Sequence, residues 1–213
     1  MSIHVYVGGQ KGGTTKTTTA HMLCLGAVLC KQPAAYGLTD PKRQLKAEGR
    51  PYGVLDGRDP AKMAQIIAAN HSTLNGWLIT DGGGNRPQFD KAMAAEASLC
   101  LVPFRDSEED LEAVRLDLEA IPNALAWPSA WPTNKLAQQS AQRYIDDLAR
   151  DFPLRVISPP IYFVNSAKEL LAKELGEPST IVRAAARRAF GIMTDYYETR
   201  QREPTAAITE EVA

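Results

Sequence analysis

Residues 8–18 of the 213-residue chain read Gly-Gly-Gln-Lys-Gly-Gly-Thr-Thr-Lys-Thr-Thr. This run follows the apolar stretch 3–7 and opens a helix expected to reach about Lys31. A strand, a glycine-rich turn and a helix, in that order, make an anion cradle. Glycines let backbone N–H groups curl round the anion, and the helix N-terminus adds its positive end. Lys16 is placed to reach phosphate oxygens, and the Thr17 hydroxyl to reach a magnesium ion. Two lysines flanking Gly12-Gly13 are hard to account for in a plain strand-to-helix turn, which does not need them.

The rest of the chain alternates in the same way. Strands are expected at 3–7, 34–38, 52–55, 77–79, 99–104 and 154–157, with a seventh candidate at 125–127 opposed by the prolines around it. Helices are expected from Asp59-Pro60 to about Asn70, over 89–97, over 107–121, over 135–150, over 165–175 and over 179–197. In the helix after Ser107, Ser107 and Asp110 resemble a capping box, and Leu111, Val114, Leu118 and Ile121 repeat at helical spacing. Strands alternating with helices predict a doubly wound α/β fold, a mostly parallel sheet with helices on both faces. One domain is expected over 1–200, with 201–213 as a disordered tail.

Composition excludes several classes. Hydrophobic residues are 44% and charged residues 23%, ordinary for a globular protein. The formal net charge of -1 provides no global field toward nucleic acid, so any DNA binding needs a local patch. The three cysteines form no C-x-x-C pair and read as small buried hydrophobes. His4, His21 and His71 match no metal spacing and read as structural. Met1 to Val7 runs straight into a strand, which predicts no leader, and no apolar run approaches the roughly 18 residues of a membrane span. A cytoplasmic protein is expected.

The run Lys11-Gly12-Gly13-Thr14-Thr15-Lys16-Thr17-Thr18 resembles the deviant Walker A motif, K-G-G-x-x-K-[ST]-[ST], of the ParA/MinD superfamily of ATPases. It departs from the general pattern G-x-x-x-x-G-K-[ST], with Gln10 at the first glycine and Thr15 at the second. The resemblance implies the P-loop NTPase fold, ATP and Mg²⁺ as ligands, and a homodimer formed on ATP. Gly12, Gly13, Thr14, Thr15, Lys16, Thr17 and Thr18 would hold the nucleotide, and Lys11 would cross to the partner's phosphates.

Asp40, in Leu38-Thr39-Asp40-Pro41-Lys42, resembles the family's D-x-D-P-Q segment, whose aspartate before proline positions the attacking water. Leu38 and Lys42 depart from that pattern, and an Asp-Pro turn is the plain alternative. Asp81, after the buried run Trp77-Leu78-Ile79, matches the Walker B position that holds Mg²⁺ through water, with Gly82-Gly83-Gly84 as a loose second switch. Pro159 and Pro160 are candidates for contact with the base, as is Asn134. Arg183, Arg187 and Arg188 share one side of the last helix and read either as a DNA patch or as a solvated face. The tail is not a basic amphipathic helix, so no membrane anchor is expected.

The chain resembles small plasmid-partition ATPases, which implies hydrolysis of ATP to ADP near the nucleoid with a ParB-like centromere-binding partner. The alternatives are a relative that positions another cargo or assists conjugation, a metabolic P-loop enzyme, and a binding module that no longer hydrolyses ATP.

Overall fold

Alternation along the strands sorts their side chains into two cores. In a computed structural model, which describes residues 2–73, 75–83 and 87–202 (the side chains of 71–73, 87 and 202 excepted), β1 (Ile3–Val7) sends Val5 and Val7 to one face and Tyr6 to the other. β4 (Trp77–Asp81), β5 (Leu99–Phe104) and β6 (Ala124–Pro128) divide in the same way. Ile79, Leu101 and Leu125 join the first core, and Leu78, Cys100 and Ala126 the second. A period of two forces this, and strands buried on both faces read as continuous apolar runs.

With β2 (Ala34–Leu38) and β3 (Gly53–Asp56), the strands form one parallel sheet in the order β3-β2-β4-β1-β5-β6. The first core lies under α1 (Lys16–Leu29) and α6 (Thr180–Arg202). The second lies under α2 (Pro60–Thr73), α3 (Pro87–Glu96), α4 (Glu108–Ala120) and α5 (Lys135–Asp151). α1 is buried along most of its length, and Gly26 is what lets α6 approach it: a β-carbon there would collide with the Ala186 carbonyl. Because every strand is parallel, the loops after β1, β2, β4, β5 and β6 all emerge at one edge of the sheet. Chain order reverses at β1, which makes the crevice there a topological switch point.

Several boundaries differ from expectation. β6 is a full edge strand, because Pro128 falls at its end, where its missing N–H breaks no ladder. The stretch 154–157 makes only a single bridge, Val156 to Ala126, since Pro159-Pro160 stops it at once. The expected helix over 165–175 is a short 3-10 helix, Asn165–Leu171. α6 continues through Gln201 and Arg202, and residues 203–213 lie outside the described ones. Cys24 and Cys100 are buried, whereas Cys30, beyond the end of α1, is exposed. His4 bonds Thr80 (2.8 Å) and His21 stacks on Tyr36 (centroids 4.0 Å apart), both buried; the His71 side chain is outside the described set. Among the described residues, no helix is long and apolar enough to cross a membrane.

Candidate nucleotide site

The loop between β1 and α1 is tied down before it curls. The Gly8 N–H donates to the Leu101 carbonyl (2.9 Å), and the Gln10 N–H donates to the buried Asp117 carboxylate on α4 (3.1 Å). Gly9 adopts φ 122°, and a β-carbon there would press to 3.0 Å from Asp117, so only glycine serves. Gly12 and Gly13 face the other way. Nothing lies within 4 Å of where their β-carbons would stand, and Gly13 has φ 78°. The loop therefore presents open space flanked by backbone, as an anion requires.

The two lysines are placed differently. The Lys16 ammonium is buried and folds over its own loop, donating to the Lys11 carbonyl and toward the Thr14 hydroxyl (3.4 Å). Burial pulls its pKa below the usual value, while Asp81, Asp117, Asp90 and Asp110 pull the other way. The Lys11 side chain turns to the first turn of α4, bonding Asp110 and lying 3.2 Å from Glu109. Asp110 also accepts from the Arg105 backbone N–H (2.9 Å). Burial would raise the Asp110 carboxyl, but the Lys11 bond and the Arg105 N–H outweigh it and hold it below the usual range. Ser107 does cap α4, accepting from the Asp110 N–H (3.2 Å). The Asp110 carboxylate does not return the bond, so the capping box is half of one.

Asp81 ends β4 beneath the loop. Its Oδ2 accepts from the Tyr36 hydroxyl (2.6 Å), Thr17 is a second side-chain partner, and Oδ1 is buried with no hydrogen-bond partner. Burial raises its pKa despite these bonds. An orphaned carboxylate oxygen beside a threonine hydroxyl suits a hard cation that takes its other ligands from water and phosphate. No group of three His, Cys, Asp or Glu able to hold a metal occurs among the described residues.

Asp40 follows β2 on the same edge. A β-carbon on Gly83 would lie 3.3 Å from the Asp40 Cα, so the loops after β2 and β4 touch. The Asp40 carboxylate accepts from the Lys42 N–H (2.9 Å) and sits 3.8 Å from Arg43. Gly84, the last glycine of the expected second switch, is outside the described residues.

A cavity of about 250 Å³ opens on the other side of the loop, lined among others by Thr15, Thr18, Ser129, Phe163, Asn165 and Lys168. Pro159 lies apart from it, on a separate cavity against α6 with Ile192, Tyr196 and Arg200. Pro160 lines neither. Asn134 is spent as the N-cap of α5, accepting from the Ala137 N–H (2.8 Å). On α6, Arg183 pairs with Glu177 (3.2 Å), Arg188 lies over the Tyr162 ring (5.2 Å) and Arg187 is exposed. Asp117, Tyr36 and Ser129 carry no local signal, because each meets the site from a distant part of the chain.

This fold has solved counterparts. Apo McdA from Cyanthece is 15% identical with a TM-score of 0.67, covering 91% of this chain and 98% of that one. Cobyrinic acid a,c-diamide synthase from Mycobacterium smegmatis, with bound ADP and magnesium, is 15% identical with a TM-score of 0.67, covering 94% and 97%. A plasmid partition protein from Borrelia burgdorferi, bound to AMPPNP, is 9% identical with a TM-score of 0.65, covering 92% and 99%. No protein-family model matches the sequence, and no curated protein matches it. The chain shares the doubly wound α/β fold of these structures over almost its whole length.

Proposed function

We propose that this chain is an ATPase of the ParA/MinD type, which binds ATP with Mg²⁺, dimerises on it and hydrolyses it to ADP. The observation that carries the reading is the open Gly12-Gly13 cradle set between Lys16 and the Thr17–Asp81 pair, whose Oδ1 is left without a partner. In this reading the loop N–H groups and Lys16 hold the phosphates. Thr17 and Asp81 hold the cation, which neutralises charge on the phosphate oxygens. Asp40 orients the attacking water, and Lys11 reaches the partner's nucleotide. The base occupies the cavity beside Thr15, which favours the 161–165 segment over Pro159 and Pro160 as its wall. Calorimetric titration with ATP and Mg²⁺ tests this. Lys16→Ala is expected to weaken binding about 10- to 100-fold, the worth of one or two charge-assisted hydrogen bonds. Unchanged affinity overturns the assignment.

The cargo we propose is DNA, as in plasmid partition, with a ParB-like centromere-binding partner. Arg183, Arg187 and Arg188 are proposed to carry salt-sensitive, sequence-independent DNA contact near the nucleoid. Mobility shifts with random duplex at low salt, compared with the triple alanine variant, decide that part. One observation favours a second reading, a metabolic ligase: Lys11 is paired within its own chain rather than free for a partner. ADP release with no added small substrate separates the two.

A further inference from the structure

Thr15, immediately before Lys16, has φ 68° and ψ 9°. This is the left-handed region, at the position where the general phosphate-loop pattern carries glycine. A β-branched residue there sets its Cβ against a carbonyl oxygen, and the conformation persists only where its surroundings impose it. Threonine is a favoured N-cap, yet the Thr15 side chain makes no cap bond to α1. Its hydroxyl lies 2.6 Å from the hydroxyl of Ser129 instead. Ser129 is fully buried just past β6, its N–H donates to the Phe104 carbonyl (2.8 Å), and its Oγ lies 3.4 Å from the same oxygen. Thr15 donating to Ser129, and Ser129 to Phe104, uses each hydroxyl proton once. Ala130, next in the chain, is also left-handed at φ 49° and lines the same cavity. Two loops, each with a non-glycine residue in that region, are thus joined by one hydroxyl pair.

We infer that Ser129 is a positioning residue of the phosphate loop. Tethered to the end of β5, its hydroxyl holds Thr15 in the conformation that glycine adopts unaided. That sets the free N–H groups of the first turn of α1 toward the bound phosphate. The inference rests on the nucleotide reading above.

A double-mutant cycle tests it, because glycine at position 15 needs no tether. Nucleotide affinity is measured by calorimetry with ATP and Mg²⁺ for the wild type, Ser129→Ala, Thr15→Gly and the double variant. Ser129→Ala alone is expected to raise Kd about five- to tenfold, the worth of one neutral hydrogen bond. In the Thr15→Gly background the same change is expected to cost less than about twofold. Equal losses in both backgrounds, or no loss in the wild-type background, overturn the inference. Thr15→Val keeps the branch without the hydroxyl; it should lose as much as Ser129→Ala, with no further loss in combination. The same cycle is run by urea unfolding without nucleotide. If the wild type binds no nucleotide, the ATPase reading falls, and the unfolding cycle still decides the tether: non-additive losses support it and additive losses overturn it.

Discussion

The Lys11 ammonium and the Asp110 carboxylate are bonded within one chain, which fastens the front of the phosphate loop to the first turn of α4. The Asp110 side chain has no exposure and that of Lys11 has 18%, so the pair is a closed contact rather than a surface ion pair. In the proposed dimer, Lys11 has to exchange this carboxylate for the partner's triphosphate. The resting pair and the dimer contact then compete for one ammonium group.

Lys11→Ala is therefore expected to leave nucleotide binding close to wild type, since Lys16 and the loop backbone remain. The ATP-dependent dimer should be lost, because facing triphosphates would meet without their bridging cations. Sedimentation with a slowly hydrolysed ATP analogue reads this directly. A variant that dimerises as well as the wild type removes the trans role of Lys11.

Asp110 makes the competition visible as a pH effect. Its carboxyl is held below the ordinary range in the folded chain. A depressed folded pKa contributes stability that is fully present above the unfolded value, about 4, and lost as pH falls through the folded value. Asp110→Asn should lose less stability than the wild type as pH falls below about 4. At neutral pH it should dimerise on ATP at lower protein concentration, because Lys11 then keeps only the exposed Glu109 carboxylate as an ionic partner among the described residues. Urea midpoints across pH, with sedimentation at pH 7, check both, and a wild-type acid slope in the variant refutes the first.

Asp40→Ala is expected to bind ATP, fail to hydrolyse it and accumulate as a long-lived dimer. The carboxylate's own contacts are a turn bond to Lys42 and a distant, partly exposed Arg43. Removing them should cost no more than about 1 kcal/mol of stability. Loss of turnover in a normally stable variant would then report chemistry rather than unfolding. Phosphate release and light scattering are the measurements; wild-type turnover contradicts the role.

Tyr36→Phe removes one proton donor from Asp81 and changes little else in shape. Leaving Oδ2 less satisfied should cost about 1–3 kcal/mol of stability. Partners that orient a metal-binding carboxylate shift cation affinity, here by an expected tenfold or so in the Mg²⁺ midpoint. Binding of a fluorescent nucleotide titrated with Mg²⁺ shows it, compared with binding in chelator. An unmoved midpoint detaches Tyr36 from the cation site.

Much of this protein is written in contiguous residues. The alternation of apolar strands and helices determines a parallel sheet covered on both faces, and parallel strands bring Gly8, Asp40 and Asp81 to one edge. The phosphate loop is legible for the same reason: its glycines act through their own φ angles, which need no distant partner. Tertiary structure alone decided where the side chains around that loop go. Lys11 meets Asp110 across 99 positions, Thr15 meets Ser129 across 114, and Tyr36 meets Asp81 across 45. Asn134 and Pro159 make the complementary case: their residue types suit a base pocket, while in the structure the one caps α5 and the other faces α6. Periodicity and turn chemistry act over a few residues. Pairings of this kind depend on which strands become neighbours, and that follows from how both faces of the whole sheet are buried at once.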